Sequence, residues 1–307
     1  MATGRRVSRP RISVWLAERP ASRRKPHQAP APERGAVRAP DQGPGREAAQ
    51  GATAQDASEQ GATDQGGTGQ GGAEQIGTEQ AAGLDLDRIV AATVRLLDAE
   101  GLAKFSMRRL AAELGVTAMS VYWYVDTKDD LLELALDAVN GEMALPDPTD
   151  ESADWREQLR QLAVEYRRLL LAHPWVSQLT GQFINVGPHW LAFSNATLRV
   201  MGRSGLPMEG RTGAIAAVFQ FVYGFATNEG LFDARCKEAG MEMDDYFKHI
   251  MTTIRARPEF AEPLAEPARV MEARGGSTLQ EMRERDFGFA LDTVIAGIEA
   301  MRDRGGR

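Results

Sequence analysis

The sequence predicts an all-α protein whose ordered part begins near residue 84. Three observations predict it. From Leu84 onward, apolar residues recur at three- and four-residue spacing between Gly and Pro punctuation. Alternating runs bounded by turn residues, the mark of strands, are absent there. Residues 1–83 are instead rich in Pro, Gly, Ala, Gln and Arg, with few large apolar groups, a composition that buries too little apolar surface to fold. The expected organisation is a disordered arm and linker over 1–83, a three-helix head over 84–143 and a helical body over 144–307.

The arm is basic and the remainder acidic. Residues 1–40 hold ten Lys or Arg and two Glu, against 26 basic and 41 acidic residues in the rest, within a net charge of −7. From Gln50 to Gln80 a glutamine stands at every fifth position. A period of five matches neither helix nor strand, so no apolar face forms and a linker is expected. The island Ile12-Ser13-Val14-Trp15-Leu16 breaks this pattern. It reads either as an incidental apolar patch or as a docking or DNA-contacting arm, since basic N-terminal arms enter minor grooves. The single cysteine, Cys236, excludes an internal disulfide and points to a reducing, cytoplasmic setting. No apolar run is long enough to span a membrane, and the apolar stretch near the start is too short for a signal peptide.

In the head, Asp85 caps a helix whose Ile89, Ala92, Thr93, Leu96 and Leu97 share one face, and Gly101 ends it. Ser106 caps a short helix burying Leu110, Ala111 and Leu114, which stops at Gly115, where a left-handed C-terminus suits glycine. Thr117 caps a second short helix, Ala118 to Trp123. Two short helices joined by a Gly-containing turn make a helix-turn-helix. Thr127 and Asp130 form a capping-box-like start for a helix from Lys128 to about Met143, linking head to body; Pro146 and Pro148 end it.

The body reads as further helices. Trp155, Leu159, Leu162, Tyr166, Leu169 and Leu170 form one stripe, and His173-Pro174-Trp175 punctuates it. A short helix and a turn at 185–188 follow. Helices are then expected from Trp190 to Met201, from Pro207 through Phe225, over Met243–Arg255 and from Leu279 to about Arg302. Residues 257–276, with three prolines and two glycines, read as a mobile loop with at most a helical turn.

The head residues Ser106-Met107-Arg108, Leu110-Ala111, Leu114-Gly115-Val116, Val121-Tyr122-Trp123-Tyr124-Val125, Lys128 and Leu131-Leu132 resemble the tetracycline-repressor (TetR) family of transcriptional regulators, and its tetracycline-repressor branch in particular. The likeness is dense over about 60 residues. It continues more loosely through Asp154-Trp155, Tyr166 to Leu170, Leu198-Arg199 and Phe287-Gly288-Phe289. It implies a helix-turn-helix DNA-binding head, and a helical body that binds ligand and dimerises. The family's eighth and tenth helices, which build its four-helix dimer interface, map here to about 208–230 and 279–302, with Phe287, Leu291, Val294, Ile295 and Ile298 as interface candidates.

The resemblance also assigns contacts. The N-terminal residues of a recognition helix meet base edges; here they are Thr117, Ala118, Met119 and Ser120. Hydroxyls hydrogen-bond bases, and Ala or Met touches a thymine methyl. Arg108 matches a family arginine that reads guanine through its planar fork. Tyr122, Tyr124 and Lys128 match positions that grip phosphates, which fix register without reading sequence. Trp123 is expected to pack and orient its neighbour. Met119 and Ala118 depart from the tetracycline repressor, which has a proline and an amide side chain there, so a different operator is expected.

Candidate effector-lining residues are His173, Trp175, Phe183, Asn185, His189, Trp190, Phe193, Phe219, Tyr223 and Met251, since ligand cavities are largely apolar with a few polar groups. Ordinary core packing is the competing reading for each. Leu179-Thr180-Gly181 offers no counterpart to the histidine that helps hold a magnesium–tetracycline chelate in the named relative, which argues against a tetracycline. The four histidines lack metal-ligand spacing, and no cofactor is expected. The expected partners are double-stranded operator DNA, a small-molecule effector and a second copy of the chain. A regulator without an inducer is the alternative. A helical enzyme is disfavoured, because no nucleophile motif, phosphate loop or metal set is present.

Overall fold

The computed structural model describes residues 13–16, 84–147, 150 and 152–305. Among them are eleven α-helices and no strand. Helix α1 (Leu86–Glu100) starts where the Asp85 carboxylate accepts the Arg88 amide at 2.7 Å, and ends at Gly101 with φ 78°. Helix α2 (Met107–Leu114) begins at the Ser106 cap and closes on Gly115 in the left-handed region. Helix α3 (Ala118–Tyr122) begins at Thr117, whose hydroxyl accepts the Ser120 amide. The three pack around Ile89, Leu97, Leu110 and Val121, all fully buried.

Helix α4 (Lys128–Asn140) opens on a complete capping box between Thr127 and Asp130. It packs on α1 on one side and on α7 (Pro188–Gly202) on the other. Nearly its whole length is buried, including Asp130, Glu133, Asp137 and Asn140. Charged groups at such positions require partners. Asp137 has one: it accepts the Trp190 amide at 3.0 Å and lies by the His189 amide, so it caps the start of α7. This approach is close enough to require glycine at 187, where a Cβ would stand 2.2 Å from the Asp137 Oδ1.

The body core is α5 (Trp155–Ala172) laid along α8 (Met208–Ala239), with α6 (Trp175–Leu179), α7, α9 (Met243–Arg255) and α11 (Leu279–Gly305) around them. All six stripe residues of α5 are buried, as their spacing predicts. A charged network crosses this core. The Arg167 guanidinium on α5 donates to both oxygens of Glu229 on α8 and to Glu284 on α11, each at 2.8 Å, and lies 4.5 Å from the Phe287 ring centroid. Desolvation offsets much of the gain from such a pair, yet removing one partner costs about 3–5 kcal/mol.

Two expectations are corrected. Residues 257–276 are not loop throughout: a 3₁₀ turn at Pro258–Phe260 is followed by α10 (Ala265–Arg274). Its Pro267 falls in the first turn, where no intrahelical donor is lost. The reading of the Ile12–Leu16 island as an incidental apolar patch does not hold at 13–16, where Ser13 and Val14 are buried. The rest of the arm and linker expected over 1–83, including the glutamine repeat, lies outside the described residues.

Candidate nucleic-acid interface and effector site

The residues assigned to DNA lie on α2, on α3 and its flanks, and at the start of α4. Arg108, in the first turn of α2, is exposed and makes no hydrogen bond or ion pair among the described residues. Its neighbour Arg109 differs, donating to Glu100 at 2.6 Å. At the start of α3 the Thr117 and Ser120 hydroxyls lie 2.9 Å apart. Ala118 is half-buried and Met119 is 67% exposed. Because Thr117 already caps the helix, the first turn of α3 is held ready without a ligand.

The aromatic run divides. Tyr122 is exposed and free of hydrogen bonds among the described residues. Tyr124 donates its hydroxyl to the Leu84 carbonyl, tying α3 to the start of α1. Trp123 is 69% exposed, which corrects the expectation that it packs: α3 ends one residue earlier, and its buried side is taken by Val121. Lys128 is half-buried, donating to the Phe105 carbonyl at 3.1 Å over the Phe105 ring. In this conformation Tyr124 and Lys128 therefore serve the head itself.

The effector candidates fall into groups. Trp190, Phe193 and Phe219 come together with Tyr166, with centroid separations of 5.2–5.7 Å. Burial pushes the Tyr166 hydroxyl up to about 12, so it stays protonated as a donor. Tyr223 donates its hydroxyl to the Ser177 carbonyl at 2.9 Å. Phe183 packs half-buried against the same core, Asn185 and Met251 are half-buried, and His189 is exposed beside Gly141.

His173 and Trp175 belong to a different feature. The His173 Nδ1 faces Asp98 on α1 at 2.7 Å, and its Nε2 faces Glu142, just past α4, at 3.1 Å. The Trp175 Nε1–H donates to the same Asp98 oxygen at 2.7 Å. Both side chains are buried. They form a joint between head and body. Burial opposes the charged imidazole, but the hydrogen bonds and charges of Asp98 and Glu142 outweigh it and hold its pKa above the ordinary value.

Several functional groups escaped the sequence reading. Asp98 and Glu142 sit far from His173 in the chain and carry no local signal. Tyr166 was placed in the core stripe alone. Glu133 and Asp137 did leave a signal: two acids that follow the Asp130 cap on one face of a largely apolar helix.

The interface candidates on α11 also divide. Phe287, Leu291, Ile295 and Ile298 are buried within the protomer, and Val294 is half-buried. The outward face instead carries Phe289, 78% exposed, with Thr293, Gly297 and Met301. An apolar groove of about 840 Å³ lies between this face and the small residues Gly213 and Ala217 of α8, with Val294 and Ile298 along it.

Residues 89–135 match the family described as bacterial regulatory proteins, tetR family, and residues 147–302 match the tetracyclin repressor-like C-terminal domain. The chain belongs to the TetR family. This TetR-family regulator is 31% identical over 225 residues to the HTH-type transcriptional repressor DrrR1 of Streptomyces coeruleorubidus, covering 71% of this chain and 78% of the repressor. It is 40% identical over 149 residues to an HTH-type transcriptional regulator of Saccharopolyspora erythraea, a match to 48% of this chain and 62% of that one, less than two thirds of its length. Among solved structures it is similar to ActR of Streptomyces coelicolor in complex with actinorhodin, with 29% identity, a TM-score of 0.56 and coverage of 71% and 97% of the two chains. As a member of this family it is a transcriptional regulator. Among the described residues, no helix is long and apolar enough to cross a membrane.

Proposed function

We propose that this chain is a homodimeric repressor that leaves its operator when a flat, polycyclic aromatic molecule enters the body. The reading rests above all on the pre-capped α3, presented beside an unpaired Arg108 and the exposed Met119 and Tyr122. A dimer places two such helices about one DNA turn apart, which asks for a two-fold symmetric operator. In this reading residues 84–143 read DNA in the cytoplasm and residues 144–307 sense and dimerise. The α8 and α11 faces, with their small residues and exposed Phe289, supply the self-complementary surface; Phe287, Leu291, Ile295 and Ile298 back it from within.

The effector class follows from the ring cluster of Tyr166, Trp190, Phe193 and Phe219. Rings favour offset or edge contacts with other rings, and the Tyr166 and Tyr223 hydroxyls offer polar anchors. The solved ActR complex contains actinorhodin, which supports a polycyclic ligand here. The ligand acts by binding the arrangement with misplaced heads more tightly than the operator-bound one.

Selection of duplexes from a random library, followed by gel shift, tests the proposal. The expected result is a palindromic site bound by two copies and released by actinorhodin or a similar polycycle. Recovery of no preferred sequence at low salt overturns the DNA reading. A bound site indifferent to every polycycle overturns the effector class.

A further inference from the structure

We propose that Ser13–Leu16 is an intramolecular ligand of α4, and that its docking sets the position of the head on the body. The four residues form one turn. The Leu16 amide donates to the Ser13 carbonyl, and the Trp15 amide to the Ser13 hydroxyl, each at 3.2 Å. The open end of the turn meets Glu133: the Val14 amide donates to Oε2 at 2.8 Å and the Ser13 hydroxyl to Oε1. Ser13, Val14 and Glu133 are 4%, 7% and 4% exposed. Among the described residues, the Glu133 carboxylate has no other partner.

The position of Glu133 gives this contact its consequence. It lies on α4 one turn after Asp130 and one turn before Asp137. The three carboxylates hold different backbone amides: Asp130 closes the helix's own cap on the Thr127 amide at 2.9 Å, Glu133 holds the arm, and Asp137 holds the start of α7 in the body. The arm thus attaches midway along the helix that joins head to body, between its N-terminal cap and its contact with α7. A ligand preferring one setting of that helix shifts the equilibrium between settings by the ratio of its affinities. By linkage, operator binding and arm docking then change each other by one factor. This second step rests on the operator reading above; the docking does not.

Hydrogen exchange on the full-length chain, with and without the duplex recovered by selection, tests both steps. In the free protein the amides of residues 14–16 are expected to be protected. V14D, which sets a second carboxylate beside Glu133, and E133Q, which replaces one acceptor by a donor, should each reduce that protection at least tenfold. Residues 128–140 should exchange faster in V14D, and residues 155–172 should not. Both variants should change the Kd for the duplex at least threefold, and the duplex should change arm protection by the matching factor. Arm amides that exchange at the unfolded rate in the free wild type overturn the docking, as does protection seen only with duplex present, the signature of a DNA-contacting strap. Protection lost in V14D with an unchanged Kd overturns the coupling. Docking is read without DNA, so a protein that ignores every duplex defeats the operator reading and leaves the docking measurement standing.

Discussion

Arg108 and Arg109 are adjacent in sequence and opposite in circumstance. Arg109 is paired to Glu100, whereas Arg108 is exposed and unpaired among the described residues. A guanidinium free of internal partners loses no intramolecular bond when it forks onto the two acceptors of a guanine edge. Arg108→Ala is therefore expected to weaken operator binding by about 1–3 kcal/mol and to relax preference at one base pair. Footprinting and affinity on single-base operator variants check this; a uniform loss across all sequences would move Arg108 to the phosphates. At this scale the sequence was most legible in the head. Caps announce themselves by residue type and spacing, and Asp85, Ser106, Thr117 and Thr127 all cap as expected. Side-chain direction was less legible. Trp123 stands out because burial depends on which side of a one-turn helix meets a neighbour, and periodicity over five residues does not settle that.

Among the elements, α1 and the start of α6 carry the head–body joint, with Glu142 just past α4. His173 presents both ring nitrogens to carboxylates, which only accept, so only the doubly protonated ring satisfies both contacts. Its folded pKa is raised. The joint is therefore fully strengthened below the unfolded pKa, about 6.5, and that contribution is lost as pH rises through the folded pKa. The difference in Tm between wild type and His173→Gln should be largest near pH 6 and shrink as pH increases toward 8.5. A difference independent of pH over that range would mean the imidazole is held neutral. Helix identities and most boundaries were readable because each helix keeps an apolar stripe. The exception, α10, was hidden by prolines that read as breakers from sequence, although the first turn of a helix tolerates Pro267.

For the molecule as a whole, the unresolved face is the outward side of α8 and α11. Large exposed apolar groups next to small residues mark a surface built for close approach. A Cβ at Gly297 meets nothing within 4 Å, and Phe289 points outward. The pair Phe289→Lys with Gly297→Glu should leave helicity unchanged while shifting sedimentation from dimer to monomer. Operator affinity should fall with it, because two half-sites are no longer held together. A dimer that survives both changes places the interface elsewhere. The sequence located this surface to two helices but assigned it to Phe287, Leu291, Ile295 and Ile298. Phe287, Leu291 and Ile295 are buried because α5 and α8 pack on that side of α11, with the Phe287 ring under the Arg167 guanidinium, while Ile298 also borders the groove.

The sequence by itself determined the helical class, the caps, the short helix after Thr117 and the family likeness, because these depend on residue type and spacing within one or two turns. Only the tertiary structure decided which groups meet across long separations. It set His173 and Trp175 in a joint on Asp98, and turned α11's apolar stripe inward. It also seated Val14 of the arm against Glu133, well over one hundred residues away. A local pattern states that a side chain needs a partner; which partner it finds depends on how the helices close around it.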